Sequence, residues 1–116
     1  MAGAVNIDVQ QISQELRIRP EIYLRLVTSF SNSLVGKMHA LSDALAEDDR
    51  DQMRLILHEI KGTAGNLRLR NITEPETVLH EAVKAGDAQK KLLQHYEVLR
   101  AETEKLQQHL ATQSRP

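Results

Sequence analysis

Apolar residues recur at intervals of three, four and seven along most of the chain, and the alternating pattern of a half-buried strand is absent. Val27, Leu34 and Leu41 lie seven residues apart, with Phe30 and Met38 beside them. Such spacing places apolar side chains on one face of a helix. The same spacing returns near the C-terminus at Leu92, Tyr96, Leu99, Leu106 and Leu110. The chain is therefore predicted to be all-α.

Capping residues, prolines and a glycine divide this pattern into five predicted helices. The predicted helices are Ile7–Leu16, Pro20–Ala46, a third opened by Asp48 and Asp49 that ends between Leu67 and Asn71, a fourth from Thr73 to Ala85, and a fifth capped by Asp87. Short connections between long amphipathic helices favour antiparallel neighbours. We expect an antiparallel up-and-down four-helix bundle with a short extra N-terminal helix. It would form one domain over residues 7–111, with flexible tails at 1–6 and 112–116.

Composition narrows the possible partners and settings. Charged residues make up 27% of the 116 residues and nearly cancel, giving a net charge of -1, whereas nucleic acid selects strongly basic faces. The longest uncharged run, Leu26 to Gly36, is too short to span a bilayer, and no signal peptide is visible. There is no cysteine, so thiol chemistry is excluded. We expect a cytoplasmic monomer that binds neither nucleic acid nor membrane.

The third predicted helix carries His58 at the start of the string His-Glu-Ile-Lys-Gly-Thr-Ala-Gly. At about 100° per residue, His58 points about 160° away from the core-facing Ile60. Gly62 and Gly65 flank it on the same outward side. The predicted surface around this strip also includes Leu55 and Leu69 as exposed apolar residues, with Arg54, Lys61 and Arg68 at its border.

Two glycines beside one exposed histidine favour a place where another protein approaches the imidazole. Each glycine costs a helix about 1 kcal/mol relative to alanine, so the absence of a side chain is expected to serve docking. Lys61, three residues after His58, can reach a group attached to the ring and would stabilise a phosphoryl group. No metal or cofactor site is expected, because position 62, where the zincin pattern needs histidine, is glycine and no P-loop occurs.

The segment His58–Leu67 resembles the signature of histidine-containing phosphotransfer (HPt) domains, and the layout from Pro20 to Gly86 resembles that of the family. The resemblance implies that Nε2 of His58 accepts a phosphoryl group from a receiver-domain aspartyl phosphate and passes it to another receiver. Lys61 would steady the phosphate, and Gly62 would leave room for the receiver. The partners implied are response-regulator receiver domains and a hybrid sensor histidine kinase, with Mg²⁺ bound on the receiver only.

Two positions qualify this resemblance. In the family a residue of the following helix hydrogen-bonds the phosphorylated histidine, and here that position is His80, which would orient the ring of His58 through Nδ1. The alternative is that His80 is a surface histidine with no role. The family usually has glycine where this chain has Arg68, which would add positive charge for an acidic receiver pocket or alter helix packing.

Two other functions stay open from the sequence. One is the phosphoacceptor dimerisation helices of a sensor histidine kinase, where His-Glu also occurs on a helix. That family expects Arg-Thr-Pro three residues after the histidine, whereas this chain has Lys61-Gly62-Thr63, and no ATP-binding motif follows. The other is a non-catalytic helical adaptor, which would tolerate replacement of His58.

Overall fold

The structure, a computed structural model, describes residues 7–113, and these form five helices and no strand. The helices are α1 (Val9–Leu16), α2 (Pro20–Ala46), α3 (Arg50–Asn66), α4 (Arg70–Lys84) and α5 (Gln89–Gln113). The all-α prediction is confirmed. Pro20 is the first residue of α2, and the side chains of Asp8 and Asp49 cap α1 and α3.

The four long helices form a bundle in which α2 contacts α3 and α5, and α4 contacts α3 and α5. The side-chain hydroxyl of Tyr23, near the start of α2, donates to the carbonyl of Leu67 at the end of α3, at 2.6 Å. Gln89, at the start of α5, donates to the carbonyl of Leu45 at the end of α2, at 2.5 Å. In both pairs, the start of one helix therefore lies beside the end of the other, as in an antiparallel bundle. The short α1 packs on α2 outside the bundle.

One apolar face of each bundle helix points into a shared core. Burying a large aliphatic side chain stabilises the fold by roughly 1.5–3 kcal/mol relative to leaving it in water. The largest side chains that are fully buried are Tyr23, Leu34, Leu41, Leu45, Met53, Leu57, Ile60, Leu69, Ile72, Leu79, Leu92 and Leu99. These residues fix which face of each helix is left for solvent.

The first four helices end in the same way, with one residue in the left-handed conformation. The φ angles are 58° at Arg17, 53° at Asp48, 59° at Arg68 and 76° at Gly86. In each case the amide of the next residue bonds a carbonyl five positions back, the pairing of a Schellman motif. Only at Gly86 is that residue a glycine, the type that adopts a positive φ without a steric penalty.

The predicted boundary between the third and fourth helices is wrong. α3 ends at Asn66 and α4 begins at Arg70, so Pro75 lies inside α4 rather than at its start. Packing explains the shift, because Leu69 and Ile72 are both buried and the helix must begin there to point them inward. The burial of these two side chains therefore outweighs the local capping signals around Pro75.

The last helix also differs from the prediction at its two ends. The carbonyl of Ala88, rather than the side chain of Asp87, accepts the first hydrogen bonds of α5. The helix continues through Gln113, so residues 112 and 113, assigned to a tail, are helical. Residues 1–6 and 114–116 of the predicted tails lie outside the described residues.

Candidate functional site

His58 is the middle residue of α3, with eight residues of the helix on each side. Its side chain is exposed, because Leu57, Ile60 and Ala64 take the opposite side of the helix into the core. An imidazole in this position is open to a second protein and has a ring nitrogen free for chemistry. In the structure His58 therefore points outward, as the sequence predicts.

Gly62 and Gly65 leave open space along the surface of α3. A Cβ added at either position would meet no atom of the rest of the chain within 4 Å. Packing within the chain therefore does not require glycine here. Each residue still weakens the helix by up to about 1 kcal/mol relative to alanine. The chain thus accepts a less stable helix without any internal contact to explain it.

Lys61 is the cation beside His58 that forms no salt bridge among residues 7–113, although its charge interacts with the buried carboxyl of Glu76. It forms neither an ion pair nor a hydrogen bond in that part of the chain. Arg54 is different, since it pairs with Asp51 of the preceding turn. The ammonium of Lys61 is therefore available for an incoming anion.

Apolar surface lies on the other side of the strip, towards α2. Leu55 is 53% exposed, and Leu26 of α2 is 46% exposed. A shallow groove between α2 and α3 is lined by Leu26, Phe30, Thr63 and Leu67, together with small polar residues. Surface of this kind suits a partner that covers apolar area.

Two residues assigned to the docking surface are not placed as predicted. Leu69 is only 1% exposed, so its prediction as an outward-facing docking residue is wrong. Arg68 does not continue the α3 wheel beside Lys61, because the helix has ended and its backbone is left-handed. Its guanidinium instead lies 3.9 Å from Glu15 of α1 and donates to the carbonyl of Gly65 at 3.4 Å. Both errors come from extending helical geometry past Asn66.

His80 lies on α4, where its ring is held by a buried acid. Nδ1 of His80 is 3.1 Å from Oε2 of Glu76, one turn earlier on the same helix. The Glu76 side chain is fully buried, and that of His80 is 13% exposed. Thr77 donates to the other carboxylate oxygen at 3.4 Å. His80 is therefore a partly buried and oriented residue, unlike a free surface histidine.

Glu76 is the polar residue of this region that reading the sequence missed. Burial raises the pKa of its carboxyl above the ordinary 4.5, while His80 and Lys61 oppose that rise. A detectable signal was present, since Ile72, Glu76, Leu79 and Val83 follow the spacing of one helix face. An acid inside an otherwise apolar stripe predicts a buried carboxylate that needs partners.

The described residues hold no group of three or more histidine, cysteine, aspartate or glutamate side chains arranged to bind a metal ion. Among the same residues, none of the helices has the length and apolar character needed to cross a membrane.

In a comparison with protein families, residues 25–109 match the model of the Hpt domain. Comparisons with curated proteins and with solved structures found no match. The family model spans well over half of the chain, from α2 to near the end of α5. The chain therefore belongs to the Hpt domain family, which confirms the resemblance seen at His58–Leu67. Members of this family are phosphocarriers rather than classical enzymes, and they act with receiver domains in two-component phosphorelays.

Proposed function

We propose that this Hpt domain carries its phosphoryl group on His58, receiving it from the aspartyl phosphate of one receiver domain and passing it to another. The observation that carries the proposal is an exposed imidazole at the middle of α3, beside a strip that Gly62 and Gly65 leave open. A receiver must bring its phosphoaspartate within bonding distance of the ring, and this strip gives its backbone room to do so.

The transfer forms one bond and breaks one. The unprotonated Nε2 of His58 attacks the phosphorus in line, the N–P bond forms, and the bond from phosphorus to the aspartate oxygen breaks, so the receiver keeps a carboxylate. Onward transfer reverses these events at a second receiver. Phosphoryl transfer depends mainly on positioning and on neutralising the charge of the transferred group. The Mg²⁺ expected for this step would be bound by the receiver.

Neighbouring residues suit supporting roles. The exposed ammonium of Lys61, which forms no salt bridge, would neutralise charge on the phosphoryl group while it is attached to His58. Leu55 and the groove between α2 and α3 would provide apolar contact area, and Arg54 would add a cation on the exposed surface of α3. His80 would accept a hydrogen bond from Nδ1 of His58 and so keep Nε2 as the nucleophile.

The bundle argues against the kinase-dimerisation alternative. The helices α2 to α5 of a single chain enclose a complete apolar core, so helices from a second chain are not needed to close it. We propose that the domain is a monomer, which that closure supports, and the cytoplasmic location stays a prediction. An experiment distinguishes the adaptor alternative from the phosphocarrier.

The direct test uses a receiver domain that has been phosphorylated on its aspartate with a radiolabelled small-molecule phosphodonor. After mixing, the carrier is expected to take up label that is lost in acid and stable in alkali, as for a phosphohistidine. His58→Gln should abolish this label. His39→Gln is the matched control, because His39 is another exposed helical histidine, on α2, and should label normally.

Label that persists in His58→Gln would place the phosphoryl group on another residue and overturn the proposal. Absence of label from the wild-type chain with every receiver tried, including those of hybrid kinases, would favour the adaptor. Both variants change an exposed side chain, so neither is expected to unfold the domain. Circular dichroism checks that both variants remain helical.

A further inference from the structure

The pair of Glu76 and His80 joins a buried acid to the proposed transfer site. Both carboxylate oxygens of Glu76 are engaged, Oε2 with Nδ1 of His80 at 3.1 Å and Oε1 with the hydroxyl of Thr77 at 3.4 Å. Full burial of Glu76 removes competing water from these bonds. A carboxylate that is held at both oxygens fixes the ring that it contacts.

The direction of the helices brings His80 to the level of His58. Arg50, the first residue of α3, donates to the carbonyl of Asp87, just beyond the end of α4, at 2.8 Å, so the two helices run antiparallel. Glu76 lies near enough to Lys61 for the two charges to interact. One turn forward on α4, from Glu76 to His80, therefore corresponds to one turn back on α3, from Lys61 to His58.

Hydrogen-bond chemistry would then link the side chains of Glu76, His80 and His58. An ionised carboxylate only accepts, so a neutral His80 must carry its proton on Nδ1, the nitrogen facing Glu76. Its Nε2 is then an acceptor. An acceptor at the level of His58 favours the His58 tautomer with the proton on Nδ1, which leaves Nε2 of His58 as the unprotonated nucleophile.

We infer that Glu76 is a positioning residue for phosphoryl transfer: it sets the tautomer and orientation of His80, and through His80 those of His58. This inference rests on the proposed role of His58. It concerns a residue that touches neither the phosphoryl group nor the receiver, so its loss should slow transfer without weakening docking.

The test compares Glu76→Leu, which removes the acceptor, with Glu76→Gln, which keeps an acceptor oxygen. Leucine suits the site because Glu76 lies on the buried face of α4 with Ile72 and Leu79. Glu81→Leu is the control, since Glu81 is an exposed acid on the same helix. Urea denaturation establishes that each variant is folded before its transfer is measured.

The first readout does not involve phosphate. With ¹⁵N-labelled histidine, long-range ¹H–¹⁵N correlation spectra report the tautomer of each ring, and the signals of His58 and His80 are assigned from their single glutamine variants. The wild type and Glu81→Leu are expected to show Nδ1–H at His80. Glu76→Leu is expected to lose this preference, and Glu76→Gln to keep it in part.

The second readout is the rate of transfer from a phosphorylated receiver under single-turnover conditions. Glu76→Leu is expected to slow the transfer step about tenfold, the scale at which orienting residues act, with receiver affinity unchanged. The transfer rate of Glu76→Gln should lie between the rates of Glu76→Leu and the wild type. A merely structural role for Glu76 would change stability and leave the tautomers and the transfer step alone.

Wild-type tautomers and a wild-type transfer rate in folded Glu76→Leu would overturn the inference, and so would an altered His80 tautomer with an unchanged rate. Failure of the proposed function is a separate outcome, since it appears as label that persists in His58→Gln whatever happens at Glu76.

Discussion

At the scale of single residues, Arg68 occupies a backbone position that disfavours its own side chain. Its φ of 59° is left-handed, a conformation that costs a non-glycine residue roughly 1–2 kcal/mol. The gain from its side chain is small, because the contact with Glu15 is 3.9 Å long and exposed to water. The usual family glycine at this position would adopt the same turn without the penalty. The departure from the family pattern therefore affects the end of α3 and not the exposed strip beside His58.

Replacing Arg68 by glycine is expected to stabilise the domain by about 0.5–1 kcal/mol, since relief of the left-handed conformation outweighs the greater freedom of the unfolded chain. Urea denaturation measures the change. Arg68→Ala is the control, because alanine removes the same side chain and keeps the steric penalty, so it should give no gain. Equal stability of the glycine and alanine variants would show that φ at this residue carries no cost.

Individual residues also show which parts of the site could be predicted from the sequence and which could not. The exposure of His58 followed from its angle to Ile60, because helical geometry holds in the middle of α3. The positions of Leu69 and Arg68 did not follow, since both lie beyond the last helical residue, where the chain turns. Glu76 was overlooked because its significance depends on His80 and on Lys61 of another helix.

At the scale of the helix, α3 combines a buried face that holds it in place with an outer strip that weakens it. Gly62 and Gly65 have open space around them, so stability alone would favour a side chain at both positions. If the strip receives a receiver domain, stability and docking impose opposite demands on the same residues. A side chain added at Gly62 is therefore expected to stabilise the helix and to weaken receiver binding.

Gly62→Ala is expected to raise the free energy of unfolding by up to about 1 kcal/mol, because alanine is the better helix former and meets no neighbour. Receiver affinity is expected to fall, and Gly62→Gln, with a longer side chain, should lower it further, by about tenfold or roughly 1.4 kcal/mol. Isothermal titration calorimetry with a receiver measures the affinity.

Gly36 provides the matched control, since it is an exposed helical glycine with open space around it, but on α2. The alanine and glutamine variants at Gly36 should show the gain in stability without the loss of receiver affinity. Unchanged affinity in Gly62→Gln would contradict the docking role of the strip.

The helices themselves were largely predictable, and their errors have one source. The predicted range of the second helix, Pro20–Ala46, is that of α2, because proline and the apolar spacing agree there. The start of α4 was misplaced because the capping pattern at Thr73 and the proline at 75 suggested a boundary that the core does not use. Local signals decide a helix end only where burial does not oppose them.

For the whole molecule, α1 stands apart from the chemistry. It packs on α2 through partly buried residues that include Ile12 and Leu16, and its Glu15 lies 3.9 Å from Arg68, just beyond the end of α3. The family match begins at residue 25, after α1 has ended. The bundle core and the proposed transfer site are built from α2 to α5. We therefore expect α1 to contribute stability and not transfer.

Leu16→Ala is expected to lower the free energy of unfolding by about 1–2 kcal/mol, less than a fully buried leucine because Leu16 is only partly buried. The rate of transfer from a phosphorylated receiver should not change. Leu57→Ala is the contrasting variant, since Leu57 is fully buried beside His58 in α3 and its loss should cost about 2–5 kcal/mol. Slower transfer in folded Leu16→Ala would show that α1 reaches the site after all.

The central position of His58 has a consequence for how firmly a phosphoryl group would be held. Eight helical residues on each side place it about 12 Å from either end of α3. The partial charges of a helix macrodipole act mainly within its first and last turns, so neither the attracting amino end nor the repelling carboxyl end would bias an anion there. A phosphate held at the amino end would be reluctant to leave. At the midpoint, the dipole of α3 itself would therefore favour neither the loading nor the unloading of a phosphoryl group on His58.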